Sequence, residues 1–174
     1  MRFTDFLKTT VLISAAAATT LAAAAVIGAS ARSDAKLVLL AAGWWVAAAA
    51  IGGYLGRRPT SSPAISRLLA SARASTTLPE LRPGAVLLNR LWPLLLVTIV
   101  AGGLAFLAPQ VPAIATGFTI IWSLSWRRQE SAVTAIEERD GVRFYVEPTS
   151  PVSPMKLVRA PGFKAFLPGL DRAA

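Results

Sequence analysis

Four apolar blocks, separated by polar and mostly arginine-bearing stretches, set the pattern of this chain. They run from about Thr9 to Gly28 (TTVLISAAAATTLAAAAVIG), Leu37 to Gly56 (LVLLAAGWWVAAAAIGGYLG), Leu91 to Ala108 (LWPLLLVTIVAGGLAFLA) and Val111 to Trp126 (VPAIATGFTIIWSLSW). A helix rises about 1.5 Å per residue and a bilayer core is about 30 Å thick, so roughly 20 apolar residues cross it. The predicted fold class is therefore an all-α membrane protein. A four-transmembrane-helix bundle fills residues 1–128, and a small cytoplasmic C-terminal tail of mixed helix and strand fills residues 129–174. The fourth block is the shortest and has to stand with little tilt or thin its surroundings.

The first block has a second reading. MRFTDFLK resembles the start of a signal peptide, and Ala29-Ser30-Ala31 fits a small-residue cleavage site. The apolar run is longer than the usual h-region of about 7–15 residues, and cleavage would leave the second block almost at the new terminus. A retained span is the favoured reading.

Charge then orients the blocks. Arg2 and Lys8 precede the first, and the 57–90 loop holds Arg57, Arg58, Arg67, Arg73, Arg82 and Arg90 against Glu80 alone. Arg127, Arg128 and six further cations follow the fourth block. The remaining connections carry only Arg32 and Lys36, so sixteen of eighteen basic residues fall on one side of a four-span drawing. By the positive-inside rule that side is cytoplasmic, with both termini on it. The net charge of +9 is thus read as topology and attraction to anionic headgroups, with no nucleic-acid partner expected. Arginine outnumbers lysine 14 to 4 and alanine is abundant, a bias read as GC-rich bacterial coding. The expected location is a bacterial plasma (inner) membrane.

Aromatic and small residues fill in the bundle. Trp92 and Trp126 fall at the inner headgroup level, where indole rings favour sitting, and Trp122 lies one turn from Trp126. Trp44 and Trp45 lie inside the second span and are expected to pack on small residues or lipid. Pro93 is placed in the first turn of the third span, where its missing N–H costs little. Helices in lipid associate through close contact of small residues; the candidates are Gly52-x-x-x-Gly56 in the second span and Gly102-Gly103 in the third. Only Pro109 and Gln110 join the last two spans, which makes those helices antiparallel neighbours.

Composition narrows the chemistry. The chain has no cysteine and no histidine, removing thiol nucleophiles, disulfides and the commonest general base and metal ligand. No Asp, Glu, Lys or Arg lies inside any block, and such residues usually mark ion paths and proton relays. Small four-span multidrug exporters are similar in size, but their mechanism needs a carboxylate in the first span, so the similarity ends at span count. No cofactor, metal or catalytic residue is assigned.

The cytoplasmic face holds the remaining candidates. Ile65, Leu68, Leu69 and Ala72 recur at helical spacing behind Ser62-Pro63, predicting a short amphipathic helix over 64–74. Arg57, Arg58, Arg67, Arg73, Arg127 and Arg128 are the candidate contacts to the membrane surface. In the tail, RRQESAVTAIEE continues the fourth helix, Asp140-Gly141 ends it, and Val142, Phe144 and Val146 share one face of a strand. A second strand over 156–159 follows, and the apolar PGFKAFLPGL turn faces lipid or the bundle. Val142, Phe144, Tyr145 and Val146 are the candidate partner-binding strand, adding to another protein's sheet edge. The alternative, held equally open, is that the tail folds back over its own bundle.

The functional expectation is an accessory or scaffold protein, not an enzyme, acting through its tail and basic inner face. The alternative is a small transporter or pore for an uncharged or apolar solute, with homo-oligomerisation through the glycine faces. A membrane enzyme built on Glu80, Glu130, Glu137 and Glu138 ranks last, because no spacing pairs those carboxylates.

Overall fold

The structure is a computed structural model and describes residues 1–57, 61–75, 83–147, 149 and 153–161. It is mostly helical, with three helices long and apolar enough to cross a membrane and a small sheet. Helix α1 (Phe3–Ala31) and α2 (Ala35–Leu55) are the first two of these. The third is α4 (Pro83–Gly103) with the 3₁₀ turn Leu104–Phe106 that continues it. Helix α5 (Gln110–Trp126), over the fourth apolar block, has 17 residues, about 25 Å at the helical rise.

Local chemistry explains the turns. Ser33, at φ 55°, takes the left-handed position after α1, and the N–H of Asp34 returns to the carbonyl of Ala29. The Asp34 carboxylate then accepts the N–H of Leu37 at 3.0 Å and starts α2. Ser62 caps α3 (Pro63–Ala70) by accepting the N–H of Ile65, with proline in the first turn as the sequence predicts. This helix stops at Ala70, and Arg73–Ala74, expected to be helical, form the two-residue strand β1. Helix α6 (Gln129–Asp140) ends on Gly141 at φ 63°, the left-handed cap. Strands β2 (Val142–Val146) and β3 (Leu157–Pro161) complete the elements.

One expectation needs correction, and the packing adds one detail. Helix α4 begins at Pro83, eight residues before the apolar block, because Val86, Leu87 and Leu88 extend its apolar face past Asn89 and Arg90. Pro93 therefore lies inside the helix, not in its first turn, and the Asn89 carbonyl lacks its usual helical donor. Helix α5 lies between α1 and α2, and α4 rests chiefly on α1. The helices flanking the Pro109 link do touch, but an apolar groove of ≈ 600 Å³ opens between them, lined by Leu96, Val100, Leu104, Ile114 and Phe118. Helix α1 is poor in large side chains, which lets α5 come closer to it than α4 does.

The two ends of the bundle differ. At one end Arg32 donates to the carbonyls of Phe106 (2.9 Å) and Leu107 (2.6 Å), tying the α1–α2 turn to the end of α4. At the other end lies the main hydrophobic cluster: Met1, Phe3, Phe6, Leu7, Ile65, Val86, Val133, Val142, Phe144, Val146 and Leu157. Six chain segments thus bury one core below the helices.

Candidate functional site: the sheet at the charged end

The sheet has the order β1–β3–β2, with β3 parallel to β1 and antiparallel to β2. Alternation along β2 buries Val142, Phe144 and Val146 and leaves Arg143 exposed and Tyr145 half-buried. The other edge of β2 is also taken. The N–H of Val146 donates to the Met1 carbonyl at 2.9 Å, and Arg2 forms an antiparallel bridge with Tyr145. Two residues of the N-terminus therefore act as a fourth, very short strand. Another protein's strand adding at β2 would have to displace either β3 or these residues.

The bridge register places Phe3 opposite Phe144, but Phe3 starts α1 and its carbonyl belongs to the helix. The buried N–H of Phe144 turns instead to Glu137 Oε1 at 2.9 Å. Glu137 Oε2 accepts from Arg2 Nη2 at 3.0 Å. With the residue only 5% exposed, this carboxylate links α6, β2 and the N-terminus in one buried position. The sequence offered Glu137 only as one of two adjacent acids, and no spacing pointed to a partner 135 residues away.

Further contacts tie the other segments in. Gln129 is buried and its Oε1 accepts the N–H of Ser62 at 2.9 Å, seating α3 against the start of α6. From α4, Asn89 donates to the Thr149 carbonyl, and Arg90 donates to the Ser153 carbonyl at 2.6 Å and to the Thr149 hydroxyl. Thr149 and Ser153, which follow β2, are thus held by α4.

Five of the six candidate surface cations are described, and they separate into two places. Arg57 follows α2, and Arg127 and Arg128 follow α5, all exposed at the junction of those helices. Arg128 Nη1 donates to the Arg57 carbonyl at 2.9 Å, and the Arg57 guanidinium lies 6.0 Å from the centre of the Tyr54 ring. Arg67 is exposed on α3, and Arg73 on β1. Arg58 lies outside the described residues, as do Glu80, Arg82 and residues 162–174 with their apolar turn.

The glycines also divide. A Cβ on Gly52 would lie 2.9 Å from the Cα of Ile121, and one on Gly56 would strike the Leu124 carbonyl, so this pair seats α2 on α5. No described atom lies within 4 Å of a Cβ placed on Gly102 or Gly103. Two other glycines matter more than the sequence indicated. Gly28 admits the Ala105 backbone, and Gly117 lies directly under the indole of Trp44. Trp44 and Trp45 donate their N–H groups to the carbonyls of Ile114 (3.2 Å) and Ala113 (2.8 Å). Those bonds satisfy two polar groups that apolar surroundings would otherwise penalise. Trp122 stacks on Trp126 with ring centres 5.1 Å apart.

Two exposed neighbours and the N-terminus have shifted titrations. The hydrogen bond from Arg139 holds the Asp140 carboxyl below its ordinary range, with Arg159 assisting, and the same bond raises the Arg139 guanidinium. Burial lowers the Met1 amine against the opposing pull of Asp5. Among the described residues no group of three acids gathers that could hold a metal ion. Comparison with protein-family models, curated proteins and solved structures found no match.

Proposed function

We propose that this chain is a four-span protein of a bacterial inner membrane, with both termini cytoplasmic, serving as an accessory or scaffold protein through its cytoplasmic face. The observation that carries this reading is the convergence of the N-terminus, the 61–75 segment and residues 129–161 on one end of the bundle. Those are the segments the positive-inside rule assigns to the cytoplasm. Retention of residues 1–31 is part of the proposal: Met1, Phe3, Phe6 and Leu7 belong to the core of the charged-end unit, which a signal-peptide cleavage would remove.

The surface offered to a protein partner is then the exposed side of the sheet, not the apolar strand face of Val142, Phe144 and Val146. Arg73 and Arg143 are exposed there and neither is in an ion pair with a described residue, whereas Arg159 pairs with Phe144 in the ladder and so lies on the opposite side. A partner matching it carries acidic groups. The transporter reading has less support. The buried hydroxyls of Thr10, Ser14 and Thr116 donate to carbonyls of their own helices, and Ser123 donates to the Val11 carbonyl, so none points into a shared polar path.

The test is site-specific photo-crosslinking in native membranes. A probe replacing Arg143 should give one discrete protein adduct that a probe at Leu39, on the lipid side of α2, does not. Identical adducts from both positions, or none from Arg143, would remove the scaffold reading.

A further inference from the structure

The junction of α2 and α5 gathers cations in a way the rest of the charged end does not. Gly52 and Gly56 allow the two helices to touch backbone to backbone at their ends. Arg57, Arg127 and Arg128 follow at once, and the Arg128 guanidinium is brought onto the Arg57 carbonyl. Three exposed arginines thus sit at one junction, and none of the three forms an ion pair with a described carboxylate. The nearest acid in sequence is Glu130, half-buried in the first turn of α6. Arg128 also satisfies an end-of-helix carbonyl, yet a guanidinium has five N–H donors and that bond uses one. Tyr54 is exposed beside Arg57, and the stacked Trp122–Trp126 pair belongs to the last turns of α5, which Arg127 follows. Amphipathic rings next to unpaired guanidinium groups are the side-chain set of a membrane headgroup layer.

We propose that this junction binds the phosphate of an anionic phospholipid headgroup, with Arg57 and Arg128 as its fork donors and Arg127 adding charge. Phosphate matches the planar guanidinium fork, and its negative charge complements cations that have no described carboxylate partner. The inference rests on the proposed topology, which puts this end at the cytoplasmic headgroups. It goes further by separating these three residues from Arg73 and Arg143, which belong to the sheet.

The experiment uses the full chain purified in a maltoside detergent and titrated with fluorescent phosphatidylglycerol or phosphatidylcholine. Phosphatidylglycerol should bind the tighter. The R57Q/R128Q variant should lose about thirtyfold of that affinity, as expected for two cations near a headgroup. The R73Q/R143Q variant, with the same net charge, should keep it. R127Q, which breaks no hydrogen bond to a described residue, carries the test if the double variant does not fold, and should also weaken binding. Glycerol 3-phosphate should fail to compete at lipid-equivalent concentration. Equal losses in both double variants, equal affinity for the two lipids, or competition by the soluble phosphate would each overturn the assignment. A topology that holds while these titrations fail removes this inference and leaves the proposed function standing.

Discussion

The Glu137 carboxylate accepts the backbone N–H of Phe144 at 2.9 Å, seven residues further along the chain. The same group holds Arg2 at 3.0 Å. One side chain thereby replaces the ladder acceptor that β2 loses where the N-terminal residues turn into α1.

Replacing Glu137 should therefore damage more than an ion pair. Glu137→Ala leaves the Phe144 amide without a partner and removes the counter-charge of Arg2, whose side chain is 38% exposed. The expected loss is about 2–3 kcal/mol, mostly the unsatisfied buried donor and only partly the screened ion pair. Glu137→Gln keeps an acceptor for Phe144 and should lose less. Thermal unfolding in detergent orders the three proteins, and equal stability of Ala and Gln variants would contradict the acceptor role.

The α2–α5 contact separates two kinds of glycine. Gly56→Ala drives a methyl group into the Leu124 carbonyl and should cost about 1–3 kcal/mol through forced separation of the helices. Gly102→Ala meets no described atom and should change stability by less than about 1 kcal/mol. Unfolding of both variants in the same detergent makes the comparison direct.

The Met1 amine gives a pH signature. Burial lowers its pKa from 8.0 in the folded protein, so the unfolded chain binds more protons in the window just below 8.0. Stability should rise slightly with pH across that window and level off above it. Acetylating the amine should abolish the slope; a slope that survives acetylation belongs to another group.

Asp140 behaves in the opposite part of the scale. Its folded pKa is lowered below 3.8 by Arg139, so whatever stability the pair contributes is present above 3.8 and is lost as pH falls through the folded value. Both groups are exposed, and Asp140→Asn should leave the unfolding temperature at neutral pH almost unchanged. A large drop at neutral pH would mean that the carboxylate has a partner in addition to Arg139.

Much of the helix layout was legible in the sequence because most ends of the apolar blocks are marked by charge, a capping residue or proline. Ser62-Pro63, Asp140-Gly141 and the one-turn spacing of Trp122 and Trp126 could all be read locally. The start of α4 could not, since Asn89 and Arg90 interrupt the apolar run while the helical face continues to Val86. The order of packing was also hidden: alanine-rich helices carry no periodic stripe that says which neighbour they prefer. Least legible was the charged-end core. Its N-terminal strand is two residues long, and the pairing of Arg2 with Glu137 depends on distance in space, not in sequence. The tail could be recognised as needing a cover, and the cover proves to be Met1 to Leu7 with α3 and α4.

The chain has no native cysteine, so single cysteines report topology without background. Asp34→Cys in the α1–α2 turn, Ser61→Cys before α3 and Arg143→Cys on the sheet would be probed with a membrane-impermeant thiol reagent on intact cells. The account predicts labelling at 34 alone until the membrane is opened, after which 61 and 143 react together. Labelling of 61 or 143 from outside, or the appearance of those two on opposite faces, would contradict it.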